Sequence, residues 1–228
     1  MKKLLTLVSI IVILGLVSSI AFAKPNKEPI DSVTLIHYID GRVKLVGGGS
    51  CSKLLGVKWG TLPVSYVINP DEYDEAFVTS AIFNSAEEWD SHTSKELFSN
   101  SYSIDYNAQW GINDGKNAYV FGTYSSNNVI AVTKYWYTRQ SKQIADYDVL
   151  FNTYYGWFDC KTQSCNEANK SMDLQTIALH ETGHGVGLAD VYNDACSNVV
   201  MYGYGYYGEV KRELTQPDIA GLQKLYGT

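Results

Sequence analysis

His180, Glu181 and His184 stand in the stretch HETGHGVGLAD, residues 180 to 190. On a helix, residues four apart lie one turn apart on the same face, so both imidazoles can reach one zinc ion at about 2.0 to 2.1 Å. Glu181 cannot easily be the third ligand, but it lies beside the position that such a metal keeps open for water. There its carboxylate takes a proton from a water whose pKa the metal lowers to about 7, which gives a nucleophile without a reactive serine or cysteine. Gly187 then lets the chain leave the helix sharply through positive φ. Asp190, three residues on, offers a carboxylate oxygen, an accepted zinc ligand at about 2.0 to 2.2 Å. The chain has 4 histidines, and half of them fall at this spacing, which argues against a chance match. His37 and His92 are single, and each reads as a solvated residue rather than a ligand.

Such a site has to be held by a core, and 228 residues of mixed composition suffice for one domain of ordinary size. Val64 to Ile68 reads as a strand by its β-branched and aromatic content. Asn69-Pro70 stops it and offers a cap for the next element. Between Asp71 and His92 the residues Phe77, Val78, Ala81, Ile82, Ala86 and Trp89 recur at three- and four-residue steps, the pattern of a long amphipathic helix. Strands are expected at Tyr102 to Tyr106, Ala118 to Tyr124, Val129 to Thr133 and Tyr147 to Phe151. A second helix starts near Ser171 to Asp173 and carries QTIALHETGHG, so poor in charge that it must be buried on most sides. The last helix opens at Thr215 with Asp218 as its capping partner, shows Ile219, Leu222, Leu225 and Tyr226 on one face, and ends at Gly227. The run YGYGYYG, Tyr202 to Gly208, reads as an irregular surface loop.

The first 23 residues carry two lysines, an apolar run and Ala-Phe-Ala, the layout of a secretory signal peptide cleaved after Ala23. An uncleaved anchor is the alternative, since the run approaches the roughly 20 residues that span a bilayer. Cleavage removes two lysines and no acid, so the net charge of −6 becomes −8. Such an acidic chain is a poor partner for nucleic acid or an anionic membrane. Cys51, Cys160, Cys165 and Cys196 are an even set in a chain that leaves the cytoplasm, and three disulfide pairings are open to them. Cys160 and Cys165 are close enough to clip a local loop, which leaves Cys51 for Cys196; a zinc-thiolate cluster is the rival, without the usual Cys-x2-Cys spacing. Residues 24–50 are polar, contain two prolines and end in Gly47-Gly48-Gly49. They read as an extension or short propeptide, too short to fold alone, ahead of a catalytic domain over residues 51–228.

Beyond its spacing, HETGHGVGLAD resembles the metzincin zinc signature. In SNVVMYG, Met201 followed by Tyr202 resembles the Met-turn of the matrixin branch, and ELTQPDIAGLQKLYG resembles its C-terminal helix. KWGTLPVSYVINP resembles the first strand of that family, NVIAVT its edge strand, and DYDVLFN the strand before the zinc helix. The resemblance runs from Lys58 to Gly227. It implies an α+β, zincin-like fold: a twisted five-stranded, mostly parallel sheet with one antiparallel edge strand, a long helix, a zinc-binding active-site helix and a C-terminal helix. It also implies one zinc ion on His180, His184 and Asp190, with Glu181 as the base and Met201 as the floor beneath the metal. The edge strand, with Ile130 and Ala131, would take a substrate peptide as an added strand, and Tyr202 would line the pocket for the side chain after the cleaved bond.

The departures from that pattern are specific. Asp190 stands where most metzincins have histidine, a variant that snapalysin-like proteases share. Val132 stands where a histidine of the matrixin structural zinc would be, so a second zinc is not expected. Calcium is a further candidate ion: Asp146 and Asp148 are either remnants of a calcium site or strand-end acids, the second being favoured. Cys51, in GGGSCSKLL, lacks the Arg-Cys-Gly setting of the matrixin latency cysteine. Together these features describe a secreted, monomeric zinc metalloendopeptidase that acts on polypeptides and has no stable membrane association once its leader is removed. A non-catalytic extracellular binding protein on the same fold is the main rival, and a zinc hydrolase of non-peptide substrates is a lesser one. An intact Glu181 argues for catalysis.

Overall fold

The computed structural model describes residues 28–39 and 50–228. The expected signal peptide lies outside these residues. QIADYDVLFN forms β7 (Gln143–Asn152), around which the main sheet is built, and AYVFG forms its parallel neighbour β5 (Ala118–Gly122). Both are nearly continuous runs of buried residues, as strands covered on two faces must be. β6 (Val129–Thr138) pairs antiparallel with β7, and β1 (Ile30–Ile39) pairs antiparallel with β6. The order across the sheet is β10 (Tyr204–Gly205), β1, β6, β7, β5, β3 (Val67–Ile68) and β4 (Ser103–Ile104), with β2 (Lys58–Trp59) against the start of β7. A separate parallel pair joins β8 (Gly156–Phe158) to β9 (Ser171–Asp173).

Three helices complete the fold. In α1 (Glu75–Asp90) the face carrying Val78, Ala81, Ile82, Ala86 and Trp89 is buried. Its N-cap is Asp74, whose carboxylate accepts from the Phe77 N–H, and not the Asn69 that the sequence offered. α2 (Leu174–Gly185) is capped by Asp173 and is buried at every residue except Gln175. The two helices pack together through Trp89, whose indole N–H donates to the Leu179 carbonyl at 3.0 Å, and Ser85, which donates to the Gln175 carbonyl at 3.1 Å. α3 (Gln216–Tyr226) follows with Thr215 at its N-cap, as expected. The disulfides are Cys51–Cys196 and Cys160–Cys165, the pairing that local proximity favours.

The expected mixed, mostly parallel sheet and three helices are present, with three corrections. The sheet has eight strands among the described residues rather than five. β1 lies in the extension read as too short to fold alone, and β10 lies in the YGYGYYG run read as a surface loop, where Tyr202, Gly203 and Gly205 are buried. Each is stabilised by the other, because β1 pairs with both β6 and β10. As a result β6, expected at the sheet edge, is an inner strand. Asp146 and Asp148 are not strand-end acids: both are fully buried in the middle of β7. Their four oxygens accept backbone N–H groups of Gly111, Ile112, Gly115, Asn117 and Ala118, so they tie the loop before β5 to β7.

Candidate metal centre

α2 brings His180 and His184 to one face, with their ring centroids 4.8 Å apart. Their outer nitrogens need fixed orientations, and backbone carbonyls provide them: His180 Nδ1 bonds to Val200 O at 2.8 Å, and His184 Nδ1 to Leu188 O at 2.9 Å. With Nδ1 carrying the proton, each Nε2 presents its lone pair inward, the usual arrangement in which an outer partner sets the tautomer of a metal-binding histidine.

Delivering Asp190 requires a sharp stop to the helix. The Leu188 N–H bonds to Gly183 O at 2.9 Å and the Gly187 N–H to His184 O at 3.0 Å, the paired bonds of a Schellman ending with glycine at its left-handed position. Gly187 has φ +106°, and a Cβ there would lie 2.4 Å from the Val57 carbonyl oxygen. Glycine is thus required for both conformation and space, as its place in the sequence predicted. Beyond the turn, residue 189 is pinned by a bond from its N–H to Lys53 O. Asp190 Oδ1 then lies 3.1 Å from His180 Nε2 and 3.4 Å from His184 Nε2. Ligands of a tetrahedral zinc ion at about 2.0 to 2.2 Å stand roughly 3.3 Å from one another. Asp190 Oδ1 is therefore already at that spacing from both imidazole nitrogens, and all three atoms lie within 4.8 Å of one another.

None of these three atoms has a hydrogen-bond partner, and the residues are 1%, 0% and 5% exposed. Leaving a buried polar atom unsatisfied costs about 1 to 3 kcal/mol, so three converging on one point call for a common partner. The donor set of two imidazoles and a carboxylate fits zinc. Electrostatics agree. Burial disfavours charge on Asp190, yet His184 and His180 hold it well below the usual carboxylate range; burial also opposes charge on His184, yet Asp190 lifts it to about 9. The cluster thus favours a positive charge opposite Asp190, a place that a metal cation takes with release of a proton.

Glu181, 0% exposed, lies next in the helix. Its Oε2 accepts from the Thr133 hydroxyl on β6 at 2.5 Å, while Oε1 has no hydrogen-bond partner. Burial pushes its pKa above the usual carboxylate range. Met201 is buried beneath α2, in contact range of Gly183, where a Cβ would come within 2.3 Å of the Met201 sulfur. Asp218 holds that turn: its two oxygens accept from the Val200 and Met201 N–H groups at 3.0 and 3.2 Å, and from the Thr215 N–H at 3.0 Å. One carboxylate therefore caps α3 and positions the carbonyl that orients His180.

Several contributors were not visible in the sequence. Thr133 holds the Glu181 carboxylate, and Tyr192 donates to Asp190 Oδ2 at 3.1 Å, which leaves Oδ1 without a hydrogen-bond partner. Tyr119, Tyr147 and Thr182 form a buried hydroxyl chain that fixes α2 to β5 and β7, with bonds of 2.7 and 2.8 Å. His37 is the largest correction. Read as solvated, it is 3% exposed, stacks on His180 at 3.9 Å between centroids, and places Nδ1 3.4 Å from Glu181 Oε1. The alternation in DSVTLIHYI is the signal that could have marked it as part of a strand. His92, half-exposed beside Glu88 on α1, lies apart from the cluster. Ile130 and Ala131 are buried on β6 beside β1, with Ala131 paired opposite His37. Tyr202 borders a small cavity with His37, His180, Val200 and Tyr204, next to the cluster.

With this geometry in view, comparison with known proteins gives a consistent result. Two curated proteins of Arabidopsis thaliana are similar over short stretches: Metalloendoproteinase 2-MMP, 37% identical over 57 residues, and Metalloendoproteinase 5-MMP, 38% identical over 56. Each match covers 25% of this chain and only 14% and 15%, respectively, of those relatives. The matrixin peptidase family model matches residues 64–227, well over half of the sequence and all of the ligand-bearing elements. On that match the chain belongs to the matrixin family.

Proposed function

We propose that this protein is a zinc-dependent endopeptidase whose metal is held by His180, His184 and Asp190 and whose general base is Glu181. The observation that carries the reading is the convergence of three buried, unpartnered ligand atoms within 4.8 Å of one another beside a buried carboxylate, with Asp190 Oδ1 at 3.1 and 3.4 Å from the two imidazole nitrogens. Zinc bound there supplies Lewis acidity, acidifying water and polarising a peptide carbonyl. The rest is the work of the chain. Glu181 takes the proton of the attacking water on Oε1 and passes it to the leaving amine. Thr133 holds the other carboxylate oxygen so that Oε1 keeps its aim, and burial raises the Glu181 pKa, which favours its holding the proton it takes. β6 offers its backbone to an extended polypeptide, and the cavity bordered by Tyr202 accepts the side chain following the cleaved bond.

The protein acts outside the cytoplasm as a monomer once residues 1–23 are removed. Two disulfides support an oxidising destination. Residues 24–50 precede a catalytic domain over 51–228. The deciding experiment is chelator-sensitive digestion of casein in a gel by the full chain and by Glu181→Ala. The variant should keep one zinc per chain and lose activity by about 100-fold or more; equal cleavage by the two proteins removes Glu181 from the mechanism.

A further inference from the structure

Asp190 follows a short connection from α2, and that connection is held from outside by a segment remote in sequence. Residues 51–57 run antiparallel beside the turn that ends α2, with Leu54 paired opposite Leu188. The Leu55 N–H donates to Gly187 O at 2.9 Å, and the Ala189 N–H donates to Lys53 O at 2.8 Å. At the start of that segment stands Cys51, bonded to Cys196 in the loop between Asp190 and Met201. We propose that the Cys51–Cys196 disulfide is a positioning device for Asp190 and that it gates metal binding, which reaches full strength only in the oxidised chain. This rests on the zinc site proposed above.

The contacts close a ring around the ligand. Before Asp190, residue 189 is bonded to residue 53; after it, the Val191 N–H donates to Met201 O at 2.9 Å and the Gly203 N–H to Val191 O at 3.0 Å. Cys196 is fully buried and packs with Val191, Val199 and Tyr202, so it is fixed to the side that carries Met201. The disulfide thus links the segment that holds residue 189 to the loop that holds residue 191, and Asp190 lies between the two. The other disulfide has no such place. Cys160 and Cys165 are 5 apart in sequence and close a loop at the opposite end of α2, where the Cys160 N–H donates to the capping Asp173.

Residues 51–57 depend on that link. Lys53 and Gly56 are exposed, Cys51, Ser52, Leu54 and Leu55 are half-buried, and only Val57 is buried. Two backbone hydrogen bonds in such surroundings contribute modestly. A covalent bond between residues 145 apart removes far more of the freedom that would let the segment leave the turn. Disulfides persist in oxidising compartments and are reduced in a cytoplasm. The same chain therefore holds its third ligand loosely in a reducing compartment and firmly in an oxidising one, so the metal centre is completed only where the disulfide forms.

The test is titration of the full chain with cobalt(II), read by visible absorption, with folding checked by circular dichroism. Cys51→Ser together with Cys196→Ser should bind cobalt at least about tenfold more weakly than wild type, the size expected when a partner that orients a ligand is lost. Serine is used because free thiols would themselves bind the metal. In an Asp190→Ala background the same serine pair should weaken binding no further, an outcome that a general loss of stability would not reproduce. Cys160→Ser together with Cys165→Ser should stay within about threefold of wild type. Leu55→Pro keeps the disulfide and deletes the bond to Gly187 O; it should weaken binding in the same direction, and it carries the test if the serine pair does not fold. Wild-type affinity in the Cys51 and Cys196 pair or in Leu55→Pro overturns the proposal and leaves the zinc site standing. An equal loss in the Asp190→Ala background, or in the Cys160 and Cys165 pair, does the same. A wild type that binds no stoichiometric cobalt, or a His184→Ala chain that binds it as well, overturns both.

Discussion

As the third ligand in the site proposed above, Asp190 would set its chemical character. A carboxylate in place of a neutral imidazole would lower the net charge at the metal, make an adjacent water less acidic and place more of the work on Glu181. Asp190→Ala should lose zinc on dialysis while Asp190→His retains it, with metal content measured by atomic absorption; a full complement in the alanine variant removes Asp190 from the site. Tyr192→Phe deletes the bond to Asp190 Oδ2 and should weaken zinc affinity by about 10- to 100-fold in a competition titration with a chromophoric chelator. No change there means that the carboxylate is aimed by the Schellman turn alone. The cluster of His180, His184 and Asp190 was legible because its spacing is local, a helical turn and a glycine. His37 and Thr133 were not, because what places them is pairing between β1 and β6, whose partners lie about a hundred residues apart, and single residues on a strand carry no mark of what lies opposite.

At the scale of the elements, the end of α2 is the decisive joint. Gly187→Ala puts a methyl group against the Val57 carbonyl and forces a non-glycine residue to φ +106°. It should destabilise the protein by about 1 to 3 kcal/mol, read as a lower urea midpoint, and weaken zinc binding because Asp190 moves with the turn. Wild-type zinc affinity in a destabilised variant would separate the turn from the site. The helices were readable because each has a period of three to four residues and a cap near its start, and errors such as Asn69 for Asp74 are shifts along one segment. The strands β2 and β10 were not, since two residues cannot display a period. β10 exists only because β1 passes beside Tyr204 and Gly205.

Across the whole molecule, Asp146 and Asp148 join the loop 111–118 to the centre of the sheet at an electrostatic cost. Burial, with Asp146 adding to it, raises Asp148 from 3.8 to about 6. Between those values the folded protein keeps a proton that the unfolded chain has lost, so the contribution of Asp148 to stability falls as pH rises from about 4 to 6 and is level above that. Urea midpoints of wild type minus those of Asp148→Asn should follow that course; a difference that grows with pH reverses the assignment. The same sheet carries a further consequence. Its chain order places β1 between β10 and β6, so β1 covers the edge of β6 that faces away from β7. A chain shortened to begin after Ile39 would leave β6 paired with β7 alone, and strands with an open edge join their like. That shortened protein should therefore self-associate through β6 as its concentration rises, and an extended peptide, by filling the same edge, should keep it dispersed.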